Sequence, residues 1–232
     1  MDIALQIVDK AKELGYDKCG IIPISQMSGY GEKLEQRIQR FPETEKNLSK
    51  FRSFSKPQEK FPWAKAVVVC SYWYGRYRIP SNLQGSFAKY YLTDGRRNEQ
   101  SDGYKTSVAF EQYLRDQGFQ IAFDRHFGIT SLRWAAMQAG IGIVRKNNFL
   151  YTERGSWQYL EAFLIDQPLE YINQCNLRPC SEKCTLCVNA CPTHSLAEPY
   201  MMCRNTCVSC LTTWSGWDLR NEPLQKEFGH WV

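Results

Sequence analysis

Seven of the ten cysteines in this 232-residue chain fall between Cys180 and Cys210. That crowding limits what the chain can fold into more than any other feature. Cys180, Cys184, Cys187 and Cys191 lie four, three and four residues apart, and Pro192 follows. The first gap is one residue longer than in the bacterial ferredoxin run Cys-x2-Cys-x2-Cys-x3-Cys-Pro, where close spacing wraps three thiolates around one cluster and sends the fourth to a neighbouring one. Cys203, Cys207 and Cys210 repeat the four-then-three step, as if two half-motifs were related by a pseudo-twofold. Trp214 occupies the place of the second half's fourth thiolate. One complete cluster could use Cys203, Cys207, Cys210 and Cys191, leaving Cys180, Cys184 and Cys187 to find an outside ligand, for which Cys175 is the candidate. Paired cysteines at short spacing also suit tetrahedral zinc. The terminal Cys-Pro favours [4Fe-4S] clusters, one or two of them.

The N-terminal residues Met1 to Lys10 show neither a basic leader nor a long apolar run, so neither a signal peptide nor a membrane span is expected, and the chain reads as cytoplasmic. In that reducing compartment ten cysteines do not imply five disulfides. Cys19 and Cys70, isolated in apolar stretches, read as small buried side chains. A formal charge of +5, from 29 basic and 24 acidic residues, is spread along the chain and permits nucleic acid without indicating it.

Hydrophobic periodicity predicts an alternation of helices and strands. Ile3, Ile7, Ala11 and Leu14 mark an opening helix closed by Gly15, and Cys19 to Ile24 a strand. A short helix is expected around Glu32 to Gln39 within a polar stretch. Val67, Val68, Val69 and Cys70 form a run suited to a strand buried on both faces at the centre of a sheet. Ser107 to Gln117 reads as a capped helix ended by Gly118, Phe119 to Phe123 as a strand, Ser131 to Ala139 as a helix closed by Gly140, and Trp157 to Ile165 as a last central strand. The fold class is α/β, with residues 1–170 as one domain and 171–232 as a second unit whose folding energy comes largely from bound metal.

The stretch Leu132-Arg133-Trp134-Ala135-Ala136-Met137-Gln138-Ala139-Gly140-Ile141-Gly142, followed by Arg145-Lys146-Asn147-Asn148-Phe149-Leu150 and Gly155-Ser156-Trp157, resembles epoxyqueuosine reductases and their corrinoid-dependent relatives, the reductive dehalogenases among them. Ala88-Lys89-Tyr90, Gly103-Tyr104-Lys105, Cys207-Val208-Ser209 and Leu211-Thr212-Thr213 extend the match over most of the chain. The resemblance implies a nitroreductase-like, cobalamin-binding α/β domain followed by a ferredoxin-like two-cluster module that passes electrons to the corrinoid. Lys89, Tyr104, Arg133, Lys146, Asn147, Asn148 and Ser156 are then the candidate cofactor-binding residues. Asn147, Asn148 and Ser156, each taken alone, also suit ordinary loop polarity.

Three departures bear on function. The family's catalytic acid is an aspartate shortly before the helix that leads to the glycine turn; counting back from Gly140 puts His126 there, with Asp124 two residues earlier. Either is a candidate proton donor. The family normally continues into a further Cys-x2-Cys-x3-Cys-Pro run, whereas this chain ends at Phe228-Gly229-His230-Trp231-Val232, which resembles the lead-in to that run. The expectation is a chain cut just before its last ligands, and by resemblance only Cys207 of the second half is a family ligand. The helical repeats that help many relatives hold transfer RNA are lacking, and Arg145 replaces the glycine before Lys146. The resemblance implies an oxidoreductase fed by reduced flavodoxin or a ferredoxin-type donor, acting on tRNA or on a small molecule. Two alternatives stand beside it: an electron-transfer protein without its own catalytic site, and a protein that handles corrinoid without reducing a substrate.

Overall fold

The structure is a computed structural model that describes residues 2–85 and 89–213. Two compact units share the chain, and each is assembled from separated stretches. The first comprises Met1–Gly31, Arg52–Ile143 and Leu150–Leu177, and the second Glu32–Phe51, Val144–Phe149 and Arg178–Val232. Composition changes near residue 170, but the second unit also recruits two earlier segments.

The elements run α1 (Ile3–Glu13), β1 (Lys18–Pro23), α2 (Ser28–Arg40), α3 (Glu45–Leu48), β2 (Ala66–Trp73), α4 (Asp102–Asp116), β3 (Ile121–Phe123), α5 (Leu132–Gln138), β4 (Ile143–Val144), β5 (Leu150–Tyr151), β6 (Gln158–Ile165), α6 (Leu186–Asn189) and α7 (Val208–Thr213), with short 3-10 turns between them. Four strands of the first unit form a sheet in the order β1-β2-β6-β3, every neighbouring pair antiparallel. The valine-rich run is central, as expected: seven of the eight residues of β2 are buried.

One face of the sheet carries the largest apolar cluster. Ile7, Val8 and Ala11 of α1 and Phe110 and Leu114 of α4 pack with Val68, Cys70 and Phe163. Phe163 sits edge-on to Phe110 at 5.3 Å and stacks on Phe123 at 4.2 Å. Cys19 and Cys70, register partners on β1 and β2, are fully buried, in line with their reading as core side chains. Helix α1 ends as the pattern predicts, with Gly15 at φ +113.

Helix α4 corrects one expectation. It begins at Asp102 with Ser101 accepting the Tyr104 amide, five residues before Ser107, the position that the apolar pattern marked as the cap. Ser107 lies inside the helix and is fully buried, its hydroxyl turned to a different task. Among the described residues no helix is long and apolar enough to cross a membrane.

Candidate functional site

The two expected proton donors share one turn. After β3 the chain turns through Asp124, whose Oδ1 accepts the amides of His126 at 2.9 Å and Phe127 at 3.2 Å, while its carbonyl accepts that of Gly128 at 3.0 Å. Both side chains are exposed. They line an open depression of about 720 Å³ together with Phe54, Phe61, Arg115 and Phe123. Among the described residues the His126 imidazole makes no hydrogen bond; only its backbone is held, by Asp124 and by Arg96 Nη1 on its carbonyl at 3.4 Å.

Between the two stands Arg125, which the sequence did not single out. Its Nε donates to Ser107 Oγ at 3.0 Å and its Nη2 pairs with Glu111 at 3.0 Å. Its guanidinium lies 4.9 Å from the Tyr104 ring centroid, within cation-π range. The Arg125 carbonyl accepts the Tyr159 hydroxyl at 3.2 Å.

Those contacts lead to Glu161, in the middle of β6 and only 2% exposed. Its carboxylate accepts the hydroxyls of Tyr16, Ser107 at 2.8 Å and Tyr159 at 3.2 Å. Burial pushes the carboxyl up to about 6, against the opposing pull of these donors and of Arg125. Burial also raises the Tyr16 and Tyr159 phenols, so both stay protonated as donors. The acid turn is thus tied through Arg125 to a buried, satisfied polar cluster.

The candidate cofactor residues fall in both units. In the first, Lys89 donates to the Gly75 carbonyl at 3.2 Å and stands 3.9 Å above the ring of Trp157, which is 49% exposed. Tyr74, Tyr90 and Tyr159 continue this aromatic wall at centroid spacings of 5.6 and 6.2 Å. Tyr104 backs the Arg125 guanidinium, Arg133 is exposed in the first turn of α5, and the Ser156 hydroxyl makes no hydrogen bond among the described residues. The tyrosine rings are set at 77° and 40° to one another, so they form a faceted aromatic surface and not a single plane.

In the second unit the loop residues have internal tasks. Asn147 Oδ1 accepts the Phe149 amide at 3.2 Å, and Asn148, at φ +64, accepts from Arg37 at 3.2 Å. Asparagine tolerates this left-handed conformation better than most residues, which accounts for its place here. Lys146 is buried, and its ammonium donates to the carbonyls of Ser181, Glu182 and Cys184 at 2.8, 2.7 and 2.8 Å.

The cysteines of this unit are surrounded by donors. A hydrogen bond from the Lys146 amide, with Arg145 Nη1 at 3.9 Å, holds the Cys180 thiol below its usual range. Burial raises the Cys191 thiol, but the amides of Leu196, Thr193 and Ser195 and the Thr193 hydroxyl outweigh it and the net shift is downward. The Cys210 thiol donates to Cys207, and with amide and Ser195 bonds this lowers Cys207 despite its burial, while Cys210 is pushed up and keeps the shared proton. Thiolates are what metal and clusters bind, and amide donors to sulfur stabilise them. The donor set therefore fits an iron-sulfur cluster.

Cys203 is buried and lies 3.4 Å from Glu43 Oε1. Cys184 and Cys187 are half-buried, and Cys175 belongs to the last segment of the first unit. Among the described residues no three His, Cys, Asp or Glu side chains stand grouped as a finished metal site. Trp214, the C-terminal pentapeptide and Ala88 lie outside the described residues.

No family model matches the chain. It is 32% identical over 100 residues to an epoxyqueuosine reductase of Synechococcus sp., a match covering 43% of this chain and 30% of that protein. With the epoxyqueuosine reductase of Cyclobacterium marinum it shares 28% over 219 residues, 89% of this chain and 68% of its relative. The crystal structure of an epoxyqueuosine reductase with an epoxyqueuosine-modified tRNA-Tyr stem loop superposes with a TM-score of 0.68 at 21% identity, over 92% of this chain and 58% of that one. The chain is epoxyqueuosine reductase-like. Its mixed α/β fold is that of the solved epoxyqueuosine reductases. The chain spans about a third to two thirds of the length of these relatives.

Proposed function

We propose that the chain is an oxidoreductase of epoxyqueuosine reductase type. Its second unit, a ferredoxin-like module, holds [4Fe-4S] clusters, and its first, a nitroreductase-like domain, binds cobalamin and carries the proton donor. The observation that carries this reading is the set of backbone-amide hydrogen bonds accepted by the sulfurs of Cys180, Cys191 and Cys207, which lower all three thiols. In a chain with this fold such thiols have the character of cluster ligands. The other members of the set are Cys184, Cys187, Cys203 and Cys210. Metal supplies their final convergence, as it does in other small metal-built modules.

A bound cobalamin supplies a strongly reducing cobalt centre. The protein's residues do the rest. Lys89, Trp157 and the Tyr74-Tyr90-Tyr159 cluster would provide an aromatic surface with a cation beside it, and Ser156 a hydroxyl for a polar arm. Deoxygenating an epoxide to an alkene takes two electrons and two protons and releases water, so a proton donor must reach the departing oxygen. We assign that task to Asp124 or His126, which share one turn braced by Arg125. The substrate is a tRNA stem loop, by analogy with the relative's complex, and the electrons come from reduced flavodoxin or a ferredoxin-type donor in the cytoplasm.

The test combines composition with turnover. Anaerobically reconstituted protein is expected to contain iron and sulfide and to retain a corrinoid, read by metal counts and absorbance. Asp124→Ala and His126→Ala are to be compared on an epoxyqueuosine-bearing stem loop. The residue that delivers the proton should cost about 100-fold or more in turnover, with chemical reduction of the clusters unchanged. A wild-type chain that keeps neither iron nor corrinoid sinks the proposal. Indifference of turnover to both substitutions makes the chain an electron carrier instead.

A further inference from the structure

Among the described residues Lys146 is a buried cation without a carboxylate partner. It is 5% exposed, and no acidic side chain pairs with it among the described residues. Its three ammonium donors are spent on the backbone carbonyls of Ser181, Glu182 and Cys184 at 2.7 to 2.8 Å. Carbonyl dipoles satisfy the hydrogen bonds but leave the unit charge unneutralised, an expensive arrangement away from water.

The surroundings show where that charge acts. The three carbonyls belong to the segment that leads from the first cysteine of the motif to the second, Cys184 itself included. The Lys146 amide bonds the Cys180 sulfur, and the neighbouring Arg145 guanidinium is 3.9 Å from it. The Lys146 carbonyl accepts the Tyr200 amide at 2.9 Å, tying in the chain that leads to Cys203. The carboxylate of Glu182 faces solvent, as does the ammonium of Lys183. One residue thus uses its side chain, amide and carbonyl to hold the cysteine loop.

The geometry points to Lys146 as a positioning residue that fixes the Cys180–Cys184 loop for cluster binding and, together with Arg145, as the positive charge that raises the reduction potential of the cluster this loop holds. This rests on the cysteines being cluster ligands. A cluster ligated by thiolates is an anion, and reduction makes it more negative. Fixed cations bonded to the backbone of the ligand loop, as Lys146 is, or 3.9 Å from a ligand sulfur, as Arg145 is, stabilise the reduced form more than the oxidised one, most strongly where solvent screening is weak.

The experiment uses Lys146→Met, Lys146→Arg and Arg145→Gln in the full chain after anaerobic reconstitution. Iron per chain, the rate of iron loss to a chelator, and midpoint potentials by EPR-monitored titration are the readouts. Lys146→Met should lose iron about ten-fold faster or more, and its remaining cluster signal should titrate at a more negative potential. Lys146→Arg, which keeps the charge, should stay nearer the wild-type potential. Should Lys146→Met take up no iron, Arg145→Gln carries the test, with the same cluster shifted negative by a smaller amount. Wild-type potentials in both Lys146→Met and Arg145→Gln overturn the inference while leaving the cluster reading intact. A wild-type chain that binds no iron removes both.

Discussion

Glu161→Leu is expected to destabilise the protein by about 3–5 kcal/mol, the range for removing one partner from a buried charged network. In a chain of this size that is a fall in Tm of roughly 6–20 °C. The loss arises less from what leucine lacks than from what it strands. The hydroxyls of Tyr16, Ser107 and Tyr159 all point at this carboxylate, and Ser107 in turn accepts from Arg125. Glu161→Gln keeps an acceptor and a similar volume, and should cost about 1–2 kcal/mol. The two differ also in their pH dependence. Burial raises Glu161 from 4.5 to about 6, so between those values the folded state holds a proton that the unfolded chain has released. Stability from this group is therefore fully present below about 4.5 and is lost as pH rises through about 6, some 2 kcal/mol in all. Denaturant unfolding of wild type and Glu161→Gln at pH 4.5 and 7 measures it directly: the glutamine variant should lack this component. A wild-type stability that rises over the same interval by that amount contradicts the assignment.

What the sequence made visible and what it hid divide along the range of the interactions. The cysteine run is local, so its spacing alone set that segment apart. The opening helix, the central position of β2 and the closure of α5 at Gly140 were legible for the same reason, since periodicity and glycine caps act over a few residues. Glu161 was not. It sits in a strand whose neighbours are apolar, and its donors come from 145 and 54 residues away as well as from Tyr159. Ser107 was misplaced as a cap because a serine ahead of an apolar helical run has that signature, while the serine that caps the helix, Ser101, precedes a polar first turn. The assembly of the second unit was hidden too. Contacts such as Cys203 to Glu43, 160 residues apart, draw Glu32–Phe51 into it, and no composition change marks that segment. In the sequence Lys146 stood only as a candidate cofactor-binding residue beside Asn147 and Asn148. Only the three carbonyls around its ammonium distinguish it.

Gly140→Ala should be the most damaging single methyl in the first unit. The glycine has φ +67, and a Cβ there would lie 1.9 Å from the Asn173 carbonyl oxygen and 2.8 Å from its carbon. Neither atom has room to retreat. The Asn173 amide donates to the Ala139 carbonyl at 2.9 Å, and its side-chain amide bonds the Cys19 carbonyl at 2.9 Å and the Ala139 carbonyl at 3.1 Å. Gly20 completes the knot, since a Cβ on it would meet Ala139 Cβ at 2.8 Å. The end of α5, strand β1 and the chain after β6 are thus locked at backbone distance. The left-handed conformation alone costs alanine about 1–2 kcal/mol, and displacing a hydrogen-bonded backbone adds more, for a total above about 4 kcal/mol. Gly118→Ala is the control: it has φ +82, but no atom lies within 4 Å of its Cβ position, so it should cost only the conformational part. Chemical denaturation of the two variants beside wild type separates strain from collision. Similar losses in both would mean that the Asn173 contact yields cheaply. The expected large gap would place the anchor of α5 in that contact, one helix away from the turn that carries Asp124 and His126.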